Sequence, residues 1–362
     1  MIRYKSWAIP EGNVVKVTDE SGAVIWALQN KSTVPAVLTV EKITSDTYAG
    51  STTYTGESFA LLDIYPKSAS STVKVTYGGL TKTLTFTGTN AQTVYFGTFN
   101  GVTDSVTTPA SGTLTIEGDY RGFASGTYSK YNATTTKSQT AYSSCVTSVV
   151  DWGSLEYLPS YAFQDCAKLT APNLPSGVTS IPSYAFYGCS NIAFTSLPSA
   201  ITSIGTYAFY QCANLAITSL PSGVTSIGTY AFYECKSINI REIPSGVTSI
   251  ADYTFAMYAT SYVCETAMNG GTMTLPSGLT SIGKYALCSH NTNGTGYEHI
   301  KYLYSVNILA TTPPTLGTTV FGGADDGSYV QCPQLIVPKG CGDTYKSASG
   351  WSVYANYIVE AS

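Results

Sequence analysis

LPSGVTSIPSYAFYGCSNIAFTS at 174–196, LPSAITSIGTYAFYQCANLAITS at 197–219, LPSGVTSIGTYAFYECKSINIRE at 220–242 and IPSGVTSI at 243–250 are one 23-residue unit written three times and begun a fourth. Phe163, Phe186, Phe209, Phe232 and Phe255 fall in step, as do Cys166, Cys189, Cys212 and Cys235. Leu174, Leu197, Leu220 and Ile243 form a third column, each followed by proline, and Ile181, Ile204, Ile227 and Ile250 a fourth. A unit this short cannot bury its own apolar face. Stacked units can, each touching only its neighbours, with equivalent side chains forming ladders along one continuous core.

Within a unit, Leu215-Ala-Ile217 alternates as a half-buried strand should. Leu220-Pro-Ser-Gly223 turns the chain, Val224-Thr-Ser-Ile227 is a second extended segment, and Tyr230 to Cys235 is expected as a short helical piece. A period of about 20–29 residues is that of leucine-rich-repeat solenoids. The pattern I-G-x-Y-A-F-Y-x-C-x-x-L…L-P-S-G-V-T-S-I resembles the BspA-type leucine-rich repeats of bacterial surface and secreted proteins. Ala310-Thr-Thr-Pro-Pro-Thr-Leu316, Leu335-Ile-Val-Pro338 and Tyr345 to Tyr354 look like the end of such an array, with Trp351 and Tyr354 packing over its last rung. The resemblance covers about 146–362 and implies a non-enzymatic adhesion or protein-binding role.

Charged residues make up only 11% of the chain, against the usual ~25%. Net charge is −4, so no basic surface exists to neutralise phosphates, and a nucleic-acid partner is excluded. No run of ~20 apolar residues suits a membrane span. Met1-Ile-Arg-Tyr-Lys-Ser-Trp7 lacks a signal peptide's apolar region, so the expected extracellular or cell-surface location requires a removed leader or another route of export. The nine cysteines include the four in step, expected as buried thiols. Cys332 and Cys341 are the better candidates for a disulfide, and no C-x-x-C pair suggests a metal.

Taken in order, 1–30 reads as an arm ending in a hairpin, Val14–Val17 and Ala23–Trp26 around the turn Asp19-Glu-Ser-Gly22. This hairpin is similar to N-terminal pieces of phage tail proteins from gut bacteria. Residues 31–120 read as an all-β spacer, an immunoglobulin-like sandwich with strands at Pro35–Ile43, Ser58–Tyr65, Thr72–Tyr77, Leu80–Phe86, Gln92–Phe99 and Gly112–Tyr120. Ile64 to Gly97 also resembles small PEGA-like surface modules. Residues 121–145, rich in Thr, Ser, Tyr and Gly, are expected as a linker or N-terminal cap, and 146–362 as the solenoid with its C-terminal cap. The spacing lengthens from Tyr253 to Tyr285 and from Leu287 to Phe321, placing insertions near 256–274 and 289–312. Insertions in repeat proteins become loops on one face, often the binding face.

Chemistry is sparse. The only two histidines, His290 and His299, share the second insertion with no marked nucleophile, and G-x-S-x-G is absent. Gly278 to Lys284 mimics a phosphate loop but ends at Tyr285, and the repeat explains the match. No catalytic, cofactor-binding or metal-ligating residue is expected. The candidate contacts are of two kinds. Tyr187, Tyr210 and Tyr233 follow the buried phenylalanines, where their rings either face solvent or cover the ladder. The outward positions beside the first strand are small and neutral until Asn239, Arg241 and Glu242 appear together. The chain thus reads as mostly β, an N-terminal sandwich followed by a solenoid of 23-residue repeats, serving as a non-enzymatic bacterial surface or secreted adhesin. Its expected partner is a protein or glycan, such as a host surface or matrix. The alternatives are a phage tail accessory that contacts the host and a hydrolase sited in the inserted loop.

Overall fold

The computed structural model describes residues 14–18, 24–29, 34–44, 58–99, 102–132, 137–142, 145–258, 271–287, 289–290, 303–321 and 332–362. The chain is mostly β, with 33% strand against 5% helix, and the described strands form no closed barrel. Val14–Thr18 pairs antiparallel with Val24–Gln29, as the turn chemistry predicts.

The next unit is two antiparallel sheets. One runs Val146–Asp151, Ala36–Glu41, Ser111–Gly118, Thr72–Tyr77, Leu80–Thr85 in spatial order. The other runs Tyr120–Ala124, Ser58–Pro66, Gln92–Phe99, Val102–Thr103, with Ile43–Thr44 also on Ser58–Pro66. Val73, Val75 and Tyr77 are buried while Thr72 and Lys74 are exposed and Thr76 is half-buried, the period-2 signature of a strand with one wet face. Gly78 and Gly79, at φ +58° and +83°, make the two-residue turn that follows. The sheets meet through their apolar faces, where the Tyr77 and Phe96 rings lie 5.7 Å apart, edge to face.

The structure adds strands where a linker was expected. Tyr120–Ala124 joins the second sheet, and Thr127–Asn132 pairs with Lys137–Tyr142. Val146–Asp151 is an edge strand of the first sheet and, through a parallel bridge from Ser148 to Thr170, also the first rung of the solenoid. The two units therefore share one core. Trp152 lies 6.1 Å from Phe123 of the second sheet and 5.8 Å from Phe163, the first ring of the solenoid's ladder. Its Nε1 donates to Pro172 O at 2.9 Å. Arg121 O accepts from Glu156 N and Tyr157 N, and Ser125 N donates to Ala162 O.

In the solenoid the buried columns are those in step. Phe163, Phe186, Phe209, Phe232 and Phe255 stack with centroids 5.4–5.7 Å apart, close to the ~4.8 Å spacing of stacked strands. The Ser-Ile pairs of successive rungs form short parallel ladders: 180–181, 203–204 and 226–227, then 249–250 and 281–282, which Thr315-Leu316 continues. The first segment is strand only towards the end, where Thr272–Leu275, Ser305–Ile308, Gln334–Val337 and Ile358–Glu360 make a parallel sheet. In earlier rungs it keeps single bonds such as Ala216 N to Phe194 O, 2.9 Å.

The expected helical piece is not helix. Its amides alternate between two destinations. Tyr184, Phe186 and Gly188 donate to Thr206 O, Ala208 O and Tyr210 O of the next rung at 2.8–3.0 Å, while Ala185, Tyr187 and Cys189 close turns within their own rung. This alternation needs left-handed residues. Tyr184, Tyr207, Tyr230, Tyr253 and Tyr285 take φ of 53–58°, a conformation that costs an L-residue about 1–2 kcal/mol. At the far end, helix Gly342–Ser347 and the 3-10 turn Ser352–Tyr357 close the core. Trp351 is fully buried there, its Nε1 2.7 Å from Pro314 O, and Tyr345 OH donates to Ala310 O.

Candidate functional site

The tyrosines, the residues most suggestive of recognition, form two ladders on the turn column. One runs Tyr161, Tyr184, Tyr207, Tyr230, Tyr253, Tyr285 with centroids 4.5–5.1 Å apart. The other runs Tyr187, Tyr210, Tyr233 at 4.7 and 4.9 Å. Rings of one ladder meet the other tilted or edge-on, as Tyr230 meets Tyr233 edge-on at 5.3 Å. Tyr187 and Tyr210 are half-buried, and Tyr233, the third candidate contact, is only 8% exposed. The physical reason is the stack itself, because each ring's faces are used by the rungs above and below. Only edges and hydroxyls reach water. Burial raises the phenol pKa of Tyr187 and carries that of Tyr210 to about 12.

The outward columns beside the first segment are mostly exposed in the earlier rungs, with Ala216 half-buried. Thr170, Ala193, Thr195, Ser196, Thr218 and Ser219 are exposed, and Asn173 Nδ2 reaches Thr195 Oγ1 and Ser196 Oγ at 3.0 and 3.1 Å. Asn239 and Arg241 are half-buried and Glu242 is exposed, on adjacent positions of one rung. Asn239 Oδ1 and Arg241 Nη1 are buried atoms with no hydrogen-bond partner among the described residues. The guanidinium lies over Gly271, where any Cβ would collide with it, and Thr274 N donates to Arg241 O at 2.8 Å. The tyrosine ladders and this polar group sit on different columns and form no single site.

The cysteine ladder is buried and unoxidised. Cys189, Cys212 and Cys235 donate to Phe163 O, Phe186 O and Phe209 O at 2.9–3.0 Å, and burial holds these thiols well above 9.0. Cys166, with no earlier rung below it, meets Ser125 Oγ at 3.3 Å instead. Cys332 and Cys341, the candidate disulfide, are free thiols, Cys332 buried and Cys341 half-exposed. Of the histidine pair, His290 pairs in register with Tyr258 and His299 lies outside the described residues. No metal-ligating cluster occurs among the described residues, and none of their helices is long and apolar enough to cross a membrane. One group escaped the sequence reading: Tyr304, Gln334, Asn356 and Tyr357 converge on the C-terminal sheet from outside the exact repeats, where no periodic signal marks them.

Parallel rungs, interior ladders of one residue type and end caps define a leucine-rich-repeat solenoid. Residues 134–261 match the family model of the BspA type leucine rich repeat region in 6 copies, and the repeat array of this chain is of that type. The chain is also similar to a leucine-rich repeat protein from Bacteroides ovatus of known structure, at 20% identity over 57% of this chain and 58% of that one, with a TM-score of 0.30. The match thus spans less than two thirds of that protein. No curated protein matches the chain.

Proposed function

We propose that this chain is a non-enzymatic recognition protein of the bacterial surface or its surroundings, with the BspA-type solenoid as the part that meets a protein or glycan partner. On this reading the two-sheet unit is an immunoglobulin-like sandwich that both caps the solenoid and sets it off from an anchor. The observation that carries the proposal is the unbroken array of near-identical, almost uncharged rungs on one core. Such an array presents a broad repeated surface, and no acid, base and nucleophile converge among its described residues. BspA-type repeats are typically found in surface proteins that interact with other proteins.

The test uses the whole chain on immobilised mucin, matrix proteins and intact bacterial cells, beside Arg241→Ala and Glu242→Ala variants. Saturable retention on mucin or matrix, weakened in the variants, is the expected result. Retention on bacterial cells alone would favour the phage-tail reading, to which the Val14–Thr18 and Val24–Gln29 hairpin would then belong. Silence on every surface would end the adhesin proposal.

A further inference from the structure

The C-terminal parallel sheet differs from the rest of the array. Where its strands Ser305–Ile308, Gln334–Val337 and Ile358–Glu360 begin, the surface holds a concavity of about 270 Å³. Tyr304, Gln334, Asn356 and Tyr357 line it, with Leu303 and Val359 beneath and beside them. That is near the small end of ligand sites, which span roughly 300–1,000 Å³. Tyr304 is 55% exposed and Tyr357 39%, both unusual for rings this large on this protein.

Three features narrow the occupant. Among the described residues, no charged side chain lines the concavity. The nearest carboxylate on its strands, Glu360, is turned away to accept from Gly340 N and Gly342 N at 3.0 and 2.8 Å. A charged ligand would find no counter-ion and would lose its hydration without return. Next, Gln334 and Asn356 are exposed carboxamides, and each offers a donor and an acceptor side by side, the complement of two neighbouring hydroxyl groups. Finally, Tyr357 behaves differently from the rings of the ladders. Tyr357 stacks on no other ring among the described residues, so its face is available to aliphatic C–H groups. Apolar ring faces beside paired amides suit a ligand that is apolar on its faces and hydroxylated at its rim.

The sheet also holds these groups in place. Tyr304 N donates to Gly271 O and Tyr304 O accepts from Gln334 N at 3.1 and 2.9 Å, so two lining residues are fixed by ladder bonds before any ligand arrives. Such preorganisation reduces the entropy lost on binding. Cys332, which also borders the concavity, is 4% exposed, and burial pushes its thiol up to about 12. It is a wall and not a reactive group.

We propose that this concavity binds one ring of a neutral saccharide, its face against Tyr357 and its hydroxyls on Gln334 and Asn356. The inference rests on the recognition reading above and names a ligand class for it. The experiment is saturation-transfer NMR on the intact chain with methyl β-galactoside, methyl β-glucoside, methyl α-mannoside and N-acetylglucosamine as probes, and glucuronate as the charged comparison. At least one neutral sugar is expected to bind saturably. Tyr357→Ala and Gln334→Ala should each weaken it about tenfold, near 1.4 kcal/mol, while Tyr357→Phe keeps most of the affinity. Both positions are exposed, and an unchanged circular dichroism melt confirms that the variants fold. No transfer to any neutral sugar, stronger binding of glucuronate, or binding that survives the Tyr357→Ala, Gln334→Ala double change would overturn the site. Sugar binding without retention on mucin, matrix or cells would fail the adhesin reading alone. The reverse would fail this site alone.

Discussion

Single columns of the repeat carry its stability, and Phe209 shows how. It is fully buried with Phe186 and Phe232 at 5.4 and 5.6 Å on either side. Phe209→Ala removes both contacts and leaves a hole that the flanking rungs, fixed by their own backbone bonds, cannot close. The loss should be about 3–5 kcal/mol. Because rungs stabilise only their neighbours, calorimetry should show a broadened or split transition, and an unchanged profile would mean that the ring is dispensable. The cysteine column gives a second prediction. Cys189, Cys212 and Cys235 are buried, hydrogen-bonded and shifted upward by burial. At neutral pH a thiol-specific reagent should leave them unmodified in the folded chain, whereas half-exposed Cys341 should react. Timed labelling read by mass spectrometry decides it, and early modification of Cys212 would contradict the burial.

At the scale of an element, the turn column and its two tyrosine ladders act together. Burial raises the phenols of Tyr184, Tyr187, Tyr207 and Tyr230, and carries Tyr210 from 10.0 to about 12, with Asp165 facing Tyr187 and Glu234 facing Tyr210 adding to the rise. In the unfolded chain these groups ionise near pH 10, so above that pH the folded state holds more protons than the unfolded one. Stability then falls as pH rises. The ladder's contribution should be intact below pH 10 and lost between 10 and 12, seen as a melting temperature that drops in step with phenolate absorbance. A flat profile to pH 12 would show that the rings titrate freely. This column also marks the limit of what the sequence discloses. Phe186 and Cys189 stand three apart, as they would on a helix, so local spacing suggests helix. What forbids it is the bond from each alternate amide to the rung above, information that lies 22 residues away in sequence, as from Tyr184 to Thr206. Six strands of the two-sheet unit, by contrast, are legible in alternations such as Val73, Val75, Tyr77. Tyr120–Ala124 is not, because most of its residues are buried and its sequence therefore does not alternate. For the candidate contacts, outward placement of the Asn239, Arg241 and Glu242 columns followed from strand alternation. The stacking that buries Tyr233 did not, since periodicity places a ring without saying what lies against its faces.

For the whole molecule, the decisive region is the joint. Composition suggests a boundary near Cys145, where a Thr- and Ser-rich stretch gives way to repeats, yet Val146–Asp151 belongs to both sides. Trp152 is the central side chain there. It is 3% exposed, touches Phe123 of the two-sheet unit and Phe163 and Phe194 of the solenoid, and donates to Pro172 O. A cut at this point would strip a sheet of its edge strand and open the first rung, so separate halves are poor reagents and a point change is the better probe. Trp152→Ala should cost about 3–5 kcal/mol, and its location dictates the form of the loss. With the joint hollowed, the two-sheet unit and the solenoid should melt as two events where the parent chain melts as one. Trp351→Ala supplies the control, because Trp351 is equally buried and also bonded through Nε1, but at the far cap. It should fray the solenoid's end and leave the joint cooperative. If both variants gave the same calorimetric profile, the shared core would not couple the two units, and the solenoid would be carried on a loose tether instead of being held at a fixed angle to its anchor.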